Sequence, residues 1–293
     1  MNQPPIRRPE WLKVRIGAGE SFGEIKQLMR GLDLHTVCEE AHCPNIGECW
    51  GYRTATFMIL GRVCTRACSY CAVETGLPQG LDTFEPQRVA LAVKRMGLRH
   101  AVITSVQRDD LPDGGAAVFA ATVQRVRALN PGCTVELLIP DFKGSAAALA
   151  TVLEELPDIL NHNIETVPRL FKVARPGGRY RRSIELLERS REIAPSVPTK
   201  SGLMVGLGET IDEAKETLRD LRGAGVEIVT IGQYLQPSKQ HLPIDRYVHP
   251  DEFADLKAYA LSLGFAHCES GPLVRSSYHA HEQAQQADLV TIR

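Results

Sequence analysis

The sequence has no long apolar segment and no strong charge of one sign. No apolar run approaches the roughly 18 residues that a transmembrane helix needs, and the first residues, MNQPPIRRPEW, lack the apolar centre of a secretion signal. The formal net charge is -1 at pH 7, which disfavours a chain that binds nucleic acid or a membrane as a whole. We therefore expect a cytoplasmic protein with neither of these partners.

Cysteine, in contrast, is present in an unusual distribution. Of the eight cysteines, six lie in two short triplets: Cys38, Cys43 and Cys49, then Cys64, Cys68 and Cys71. In a reducing compartment such triplets indicate metal ligands rather than disulfide bonds. The CxxxCxxC spacing of the second triplet has no distant CxxC partner pair, which a zinc site usually requires, and it favours an iron-sulfur cluster. Such metal sites usually have four protein ligands, so each triplet supplies three and lacks one.

From residue 54 onward, short apolar segments alternate with amphipathic helices. The apolar segments are 54–61, 101–106, 134–140, 158–165, 199–206 and 226–235. Successive strand-helix units predict an α/β protein with a parallel sheet. We expect a partial (β/α)6 TIM-like barrel over residues 54–245, with a doubly wound open sheet as the alternative. An N-terminal extension of 1–53 precedes it, and a C-terminal segment of 246–293 with a helix follows it.

Two helix starts are marked by capping boxes, in which a hydroxyl residue is followed three positions later by Glu. Ser21 and Glu24 predict a helix in the N-terminal extension, and Thr210 and Glu213 predict one inside the barrel. The first helix would lead directly into the first cysteine triplet.

Polar motifs follow the predicted strands where each strand ends. These motifs are CTRACSYC, SVQRDDLPDGG, NHNIETV, GLGET and YLQPS. Because the carboxyl ends of parallel strands meet at one rim of a barrel, we expect the motifs to form one site there.

The motif CTRACSYC resembles the signature of the radical S-adenosylmethionine (SAM) superfamily. The resemblance implies that Cys64, Cys68 and Cys71 hold a 4Fe-4S cluster whose open iron binds the amino and carboxylate groups of SAM. It also implies that the cluster passes one electron to the sulfonium and releases a 5′-deoxyadenosyl radical. Chemistry of this kind serves where acid-base catalysis fails, as at an unactivated C–H bond. No catalytic acid or base is therefore expected.

The same resemblance suggests residues that bind SAM. Asn163 and Glu165 are alternate residues of a strand and are suited to grip two ribose hydroxyls. Met204 lies in GLMVGLGE, which resembles the element beside the adenine. The complete set of expected SAM-binding residues is Tyr70, Ser105, Asn163, Glu165, Arg175, Lys200, Met204 and Gln236, with Arg175 and Lys200 as candidates for the carboxylate of SAM.

The triplet of Cys38, Cys43 and Cys49 narrows the resemblance. Together with TATFMILG, NHNIETVPRL, ARPG and GPLVRSSYHA, it is similar to the lipoyl synthase family over residues 20 to 280. The resemblance implies an auxiliary 4Fe-4S cluster on these cysteines, with Ser276 as the fourth ligand, carried by the terminal extensions. It further implies that sulfur from this cluster is inserted at C6 and C8 of a protein-bound octanoyl-lysine in lipoate biosynthesis.

Partners follow from the same resemblance. They would be octanoylated lipoyl domains of 2-oxoacid dehydrogenase complexes or the glycine cleavage H protein, an electron donor such as ferredoxin or flavodoxin, and a carrier that rebuilds the auxiliary cluster. The stretch KVARPGGRYRR (172–182) holds five cations and no acid. It is either a solvated loop or a surface that attracts an acidic carrier domain.

Two other functions are compatible with parts of the sequence pattern. Biotin synthase also inserts sulfur and shares a similar NHN strand, but in that family's pattern its second cluster takes ligands from several barrel strands. A non-catalytic electron carrier or a zinc-stabilised binding module is the alternative from a different class, although neither triplet has a nearby fourth cysteine. Arg62 and Gln107 differ from the residues common at these positions, which affects only local contacts.

Overall fold

The fold is built on one eight-stranded sheet. The computed structural model describes residues 7–13, 20–51, 54–278, 280 and 282–283. The strands are β1 (His35–Thr36), β2 (Thr56–Ile59), β3 (His100–Ser105), β4 (Thr134–Leu138), β5 (Ile159–Asn161), β6 (Thr199–Val205), β7 (Ile228–Gln233) and β8 (His267–Gly271). Strands β2 to β8 are parallel, and β1 pairs with β2 in the antiparallel direction.

Helices connect the parallel strands and precede them. They are α1 (Glu20–Gly31), α2 (Val37–Glu40), α3 (Ile46–Gly51), α4 (Glu85–Met96), α5 (Ala116–Leu129), α6 (Ala146–Leu153), α7 (Pro168–Ala174), α8 (Tyr180–Ile193), α9 (Ile211–Gly223) and α10 (Pro250–Ser262). Two single 3₁₀ turns, Glu10–Leu12 and Phe142–Gly144, are present as well. No helix in the described ranges has the length and apolarity to traverse a lipid bilayer.

The order of the strands decides between the two predicted architectures. The sheet runs β1-β2-β3-β4-β5-β6-β7-β8 in the order of the chain. A doubly wound sheet reverses its order at a switch point, whereas a barrel adds each strand beside the previous one. Among the described residues the edge strands β1 and β8 do not pair with each other. The predicted partial barrel is therefore confirmed.

The barrel has more strands than the sequence predicted. The segment α10–β8 continues the parallel sheet beyond residue 245, because β8 pairs with β7 from Ile228↔His267 to Gly232↔Gly271. Strand β8 reads HCESG, and such a short polar segment carries no clear strand pattern. Strand β1 has only two residues.

Successive side chains of a strand point alternately to the core and to the cavity. In β3, Ala101 and Ile103 are fully buried in the hydrophobic core under the helices, while Val102 and Thr104 line the interior cavity. The core therefore lies between the sheet and the helices, and the inner face of the barrel is left for a ligand.

The capping predictions have different outcomes. Helix α9 has the complete capping box of Thr210 and Glu213. Helix α1 begins at Glu20, one residue before the predicted cap, and the side chain of Ser21 lies outside the described residues.

The C-terminal segment returns to the N-terminal extension. The Asn45 side-chain amide donates a hydrogen bond to the Leu273 carbonyl at 2.8 Å, and the Tyr278 hydroxyl donates to Glu48 at 3.0 Å. These contacts place residues 272–278 against α2 and α3, where the first cysteine triplet lies.

Candidate active site

Both cysteine triplets face one cavity of about 1040 Å³ inside the barrel. Cys38, Cys43 and Cys49 line the wall formed by the N-terminal extension, and Cys64 and Cys71 line the wall formed by the loop after β2. Cys68 is not part of the wall, but its thiol lies close enough to Cys64 and Cys71 for their charges to interact. Only the second triplet follows a predicted strand, so the strand pattern alone does not bring the first triplet to the same cavity.

The loop that carries the second triplet is fixed to the end of β3. The Cys64 sulfur accepts backbone N–H groups of Gln107 at 3.3 Å and Arg66 at 3.5 Å. The Thr65 backbone N–H donates to the Gln107 carbonyl at 2.9 Å. Backbone donors to sulfur stabilise a thiolate, which is the form that binds iron.

Arg66 anchors the same loop through two carboxylates. Its guanidinium lies 2.7 Å from Asp109, which follows β3, and 2.9 Å from Asp141, which follows β4. The Arg66 side chain is only 6% exposed and that of Asp141 is 1% exposed, so the pair is desolvated and held in one geometry. The positioning role of Arg66 is not evident from the sequence, because no local pattern links Arg66 to residue 141.

Burial opposes ionisation of most of the thiols in the two triplets. Burial raises the pKa of Cys71 and of Cys49 to about 12, and that of Cys38 to about 11. The neighbouring thiols add to each of these rises. Thiols in such sites keep their protons until a metal cation displaces those protons, so binding of a metal group would release protons.

The donor sets fit iron-sulfur clusters better than single ions. In the part of the chain that the structure describes, no three His, Cys, Asp or Glu side chains approach one point closely enough to hold one metal ion. A multinuclear cluster takes each thiolate at a different iron and therefore needs ligands that are spread apart. Five of the six thiols line one cavity, and Cys68 lies beside Cys64 and Cys71, so each triplet offers three separate thiols to one cluster.

The polar wall that contains Asn163 and Glu165 lies near the second triplet and is suited to a polar ligand. Asn163 and Glu165 both line the cavity, as expected from their alternation. The side-chain oxygens of Asn163 and Ser105 are buried and have no hydrogen-bond partner in the described ranges. Unpaired buried oxygens cost free energy unless a ligand or water pairs with them. This wall therefore fits the hydroxyl and amino groups of a molecule such as SAM.

Glu165 is held in an uncommon conformation. Its φ angle is +69°, in the left-handed region that non-glycine residues seldom adopt. Burial raises the pKa of Glu165, and the Arg175 guanidinium lowers it in part. Backbone strain of this kind concentrates at functional sites, where the surrounding structure maintains it.

Most of the predicted SAM-binding residues come together. Those that line the cavity are Tyr70, Ser105, Asn163, Glu165, Met204 and Gln236. Arg175 lies behind this wall, where it donates to the Asn163 carbonyl at 3.1 Å and interacts with the charges of Glu165 and Cys68. It orders the polar wall and places a positive charge beside the cluster loop.

The structure corrects the prediction for Lys200. Its ammonium lies 3.0 Å from Glu136, and both side chains are fully buried. Glu136 also accepts from Asn161 at 3.0 Å. A buried ammonium remains with its counter-ion, because separating the two would leave an uncompensated charge. Lys200 does not line the cavity and is not available for the carboxylate of a cofactor.

Ser276 and Ser277 are distinguished by their contacts. Both line the cavity near the first triplet. The Ser277 hydroxyl accepts a hydrogen bond from Thr56 at 2.8 Å, whereas no hydrogen bond of the Ser276 hydroxyl is found among the described residues. Ser276 is therefore the serine with its oxygen available to a ligand, and its role as the fourth ligand of a cluster stays a prediction.

Arg275 is a further residue that the sequence analysis missed. Burial lowers the pKa of its guanidinium, and the nearby Cys43 thiol raises it in part. A cation beside a thiol of the first triplet would stabilise the thiolate. Position 275 precedes the two serines, so only the motif itself could have suggested it.

The comparisons with known proteins agree with this geometry. The family model for the radical SAM superfamily matches residues 58–221, and a model described as the N-terminal domain of lipoyl synthase matches residues 2–43. The solved structure of HydG, a maturase of the FeFe hydrogenase, matches with a TM-score of 0.55 at 14% identity, covering 78% of this chain and 58% of that chain. Streptococcus suis SuiB bound to S-adenosylmethionine matches with a TM-score of 0.54 at 11% identity, covering 82% and 57%. The fold and the cysteine loop thus define a radical SAM enzyme.

Curated relatives narrow the class. A lipoyl synthase of Rubrobacter xylanophilus is 64% identical over 96% of this chain and 87% of that protein. One of Halalkalibacterium halodurans is 60% identical over 97% of this chain and 94% of that protein. The chain belongs to the lipoyl synthase family.

Proposed function

We propose that the protein inserts two sulfur atoms, at C6 and C8, into an octanoyl chain attached to a lysine of a carrier protein. The observation that carries the proposal is the meeting of two cysteine triplets at one cavity. The substrate carbons are unactivated, so the reaction requires a radical initiator and a sulfur donor within reach of the same chain. A cavity with one candidate cluster site on each side meets both requirements.

The side chains after β2 form the initiating site in this proposal. Cys64, Cys68 and Cys71 would hold a 4Fe-4S cluster, and the cavity wall of Ser105, Asn163, Glu165 and Met204 would bind SAM, with Tyr70 and Gln236 at its margin. When bound, the cluster and SAM together supply a 5′-deoxyadenosyl radical that abstracts hydrogen. Arg66 and Arg175 keep the cysteine loop and the polar wall in position.

The N-terminal and C-terminal segments form the sulfur-donating site. Cys38, Cys43, Cys49 and Ser276 would hold an auxiliary 4Fe-4S cluster, which serves as a substrate because its sulfide is consumed. A serine oxygen is a harder ligand than the three thiolates and suits iron less well. The iron that Ser276 would bind is therefore the iron that the protein releases most easily from the donor cluster.

The partners in this proposal are proteins. The octanoyl chain would arrive on a lipoyl domain of a 2-oxoacid dehydrogenase complex or on the glycine cleavage H protein. A reductant such as ferredoxin or flavodoxin would supply electrons, and a carrier would rebuild the auxiliary cluster after each turnover. The rival assignment to biotin synthase is disfavoured by the local position of the first triplet ahead of the barrel.

The test is a reaction with reconstituted protein. Protein with iron and sulfide, SAM, dithionite and an octanoyl-lysine peptide should yield 5′-deoxyadenosine and the lipoyl peptide, from about eight iron per chain. Formation of 5′-deoxyadenosine without any sulfur in the peptide would support a radical SAM enzyme of another kind. Absence of 5′-deoxyadenosine with both clusters intact would refute the proposal.

A further inference from the structure

A second pocket on the barrel rim is strongly basic. It has a volume of about 410 Å³. Its wall includes five cationic side chains and one carboxylate: Lys143, Arg179, Arg181, Arg182, Arg189 and Glu185. The cationic stretch 172–182 contributes three of these residues, and the turn after β4 and the middle of α8 contribute the others. We refer to these six residues as the basic pocket.

The basic pocket lies beside the candidate active site. Strands β4 and β5 end at the main cavity, to which they and the residues after them contribute Leu138, Asn163 and Glu165. The segments that follow the same two strands form the basic pocket. The basic pocket and the main cavity therefore share the part of the rim that follows β4 and β5, across which a partner would be able to insert a lysine arm.

Ion pairs connect the basic pocket to the cysteine loop. Arg182 lies 3.2 Å from Asp141, and Asp141 also pairs with Arg66 of the loop. The Lys143 ammonium donates to the Asp109 carbonyl at 2.8 Å, and Arg189 donates to the Gly144 carbonyl at 3.0 Å. These contacts hold the pocket in a defined shape, so it is more than a group of mobile surface cations.

Helix α8 begins with charges that disfavour the helix. Arg179 is its N-cap, Arg181 and Arg182 lie in the first turn, and that turn contains no acidic residue. The amino end of a helix carries a partial positive charge and is stabilised by acids. Residues that disfavour the local secondary structure are expected where function requires them. Arg179 has no ion pair among the described residues, and Arg181 is 68% exposed in its pairs with Glu185 and Glu188.

We propose that the basic pocket is the docking surface for an acidic patch on the protein that carries the octanoyl-lysine. The proposal rests on the proposed function, since it identifies how that carrier is recognised. Opposite charges on the two surfaces would steer the carrier to the rim and orient its lysine arm. A nucleic acid is a poorer candidate, because the pocket wall contains no aromatic side chain for base stacking.

The test variant is Arg179→Glu/Arg181→Glu. Both side chains are exposed, and acidic residues interact favourably with the partial positive charge at the amino end of a helix, so the fold should be retained. The apparent KM for an octanoylated lipoyl domain should rise roughly 10-fold, with little change in kcat. The KM of the unaltered protein should increase with salt, and that of the variant should depend on salt less. With an octanoyl-lysine peptide as substrate, both proteins should behave alike.

The matched control is Arg30→Glu/Arg125→Glu, which changes the net charge equally at residues outside the basic pocket. It should leave both KM values unchanged. Equal KM values of the test variant and the control for the lipoyl domain would overturn the docking proposal. Turnover of the peptide in the same experiment would still support the proposed function. Binding of a single-stranded RNA that only the test variant loses, with no change in the lipoyl-domain KM, would also overturn it. If the unaltered protein fails to convert the peptide, the proposed function itself is at fault.

Discussion

The carbonyl oxygen of Val274 lies 2.2 Å from the position that a β-carbon on Gly232 would occupy. Strand β7 and the C-terminal segment therefore touch backbone to backbone, and this contact positions Ser276 two residues further on. We expect Gly232→Ala to displace the segment and the auxiliary ligand. Iron content should fall from about eight to about four per chain, while SAM cleavage continues.

Gly223→Ala is the control for this prediction. Gly223 ends α9, and a β-carbon there meets nothing within 4 Å. The control should keep the iron content and the activity of the unaltered protein. Full iron content in Gly232→Ala would show that the segment can move without losing its ligand.

The two adjacent serines should differ in their effects. Ser276→Ala removes the available oxygen at the first triplet, so we expect loss of the auxiliary cluster signal or of sulfur insertion. Ser277→Ala removes the acceptor of the Thr56 hydrogen bond, and should cost about 1 kcal/mol of stability with sulfur insertion preserved. Electron paramagnetic resonance and product analysis would measure both effects. Wild-type activity in Ser276→Ala would assign the fourth ligand elsewhere.

The cysteine triplets should separate the two halves of the reaction. Alanine at Cys64, Cys68 or Cys71 should abolish formation of 5′-deoxyadenosine. Alanine at Cys38, Cys43 or Cys49 should spare that step and stop lipoyl formation. Cys133→Ala is the control, because Cys133 is a buried core residue outside the cavity. Lipoyl product from any variant of the first triplet would contradict a consumed donor cluster.

Lys200 should matter for stability rather than for cofactor binding. Lys200→Met leaves Glu136 buried without its partner, which should cost about 3 to 5 kcal/mol in the free energy of unfolding. Replacing both residues with Met should recover much of this loss, because neither charge is then buried alone. Urea unfolding would measure the change. A raised KM for SAM in the double variant would return Lys200 to the cofactor site.

The same ion pair predicts a dependence of stability on pH. Burial alone would raise the pKa of Glu136, but the Lys200 ammonium, together with His100 and the hydrogen bond from Asn161, lowers the pKa from 4.5 to about 2. A lowered carboxyl pKa stabilises the folded state above the unfolded value, and this contribution is lost as the pH falls from about 4.5 toward about 2. Urea midpoints of the metal-free chain should decline over this range, and less steeply in the variant with Met at both positions.

Regular patterns made most of the barrel predictable. The six apolar segments all became strands of the sheet, since buried parallel strands are apolar along their length. The sheet's last strand was missed because HCESG has neither alternation nor length. The partner of Lys200 was equally hidden, because Glu136 is 64 residues away and nothing in either strand indicates the pairing. Likewise, the sequence does not distinguish Ser276 from Ser277, and only the hydrogen bond from Thr56 to Ser277 does so in the structure.

The hydrogen bond between Asn45 and Leu273 spans 228 residues. During synthesis on a ribosome, Cys38, Cys43 and Cys49 emerge long before Ser276, which we propose as the fourth ligand of their cluster. Cys64, Cys68 and Cys71 can pack against the strands of the barrel earlier, because domains fold as their segments become available. Under the proposed function, the donor cluster would therefore be loaded only onto a nearly finished chain, and a chain that ends before residue 276 would lack one of the four proposed ligands.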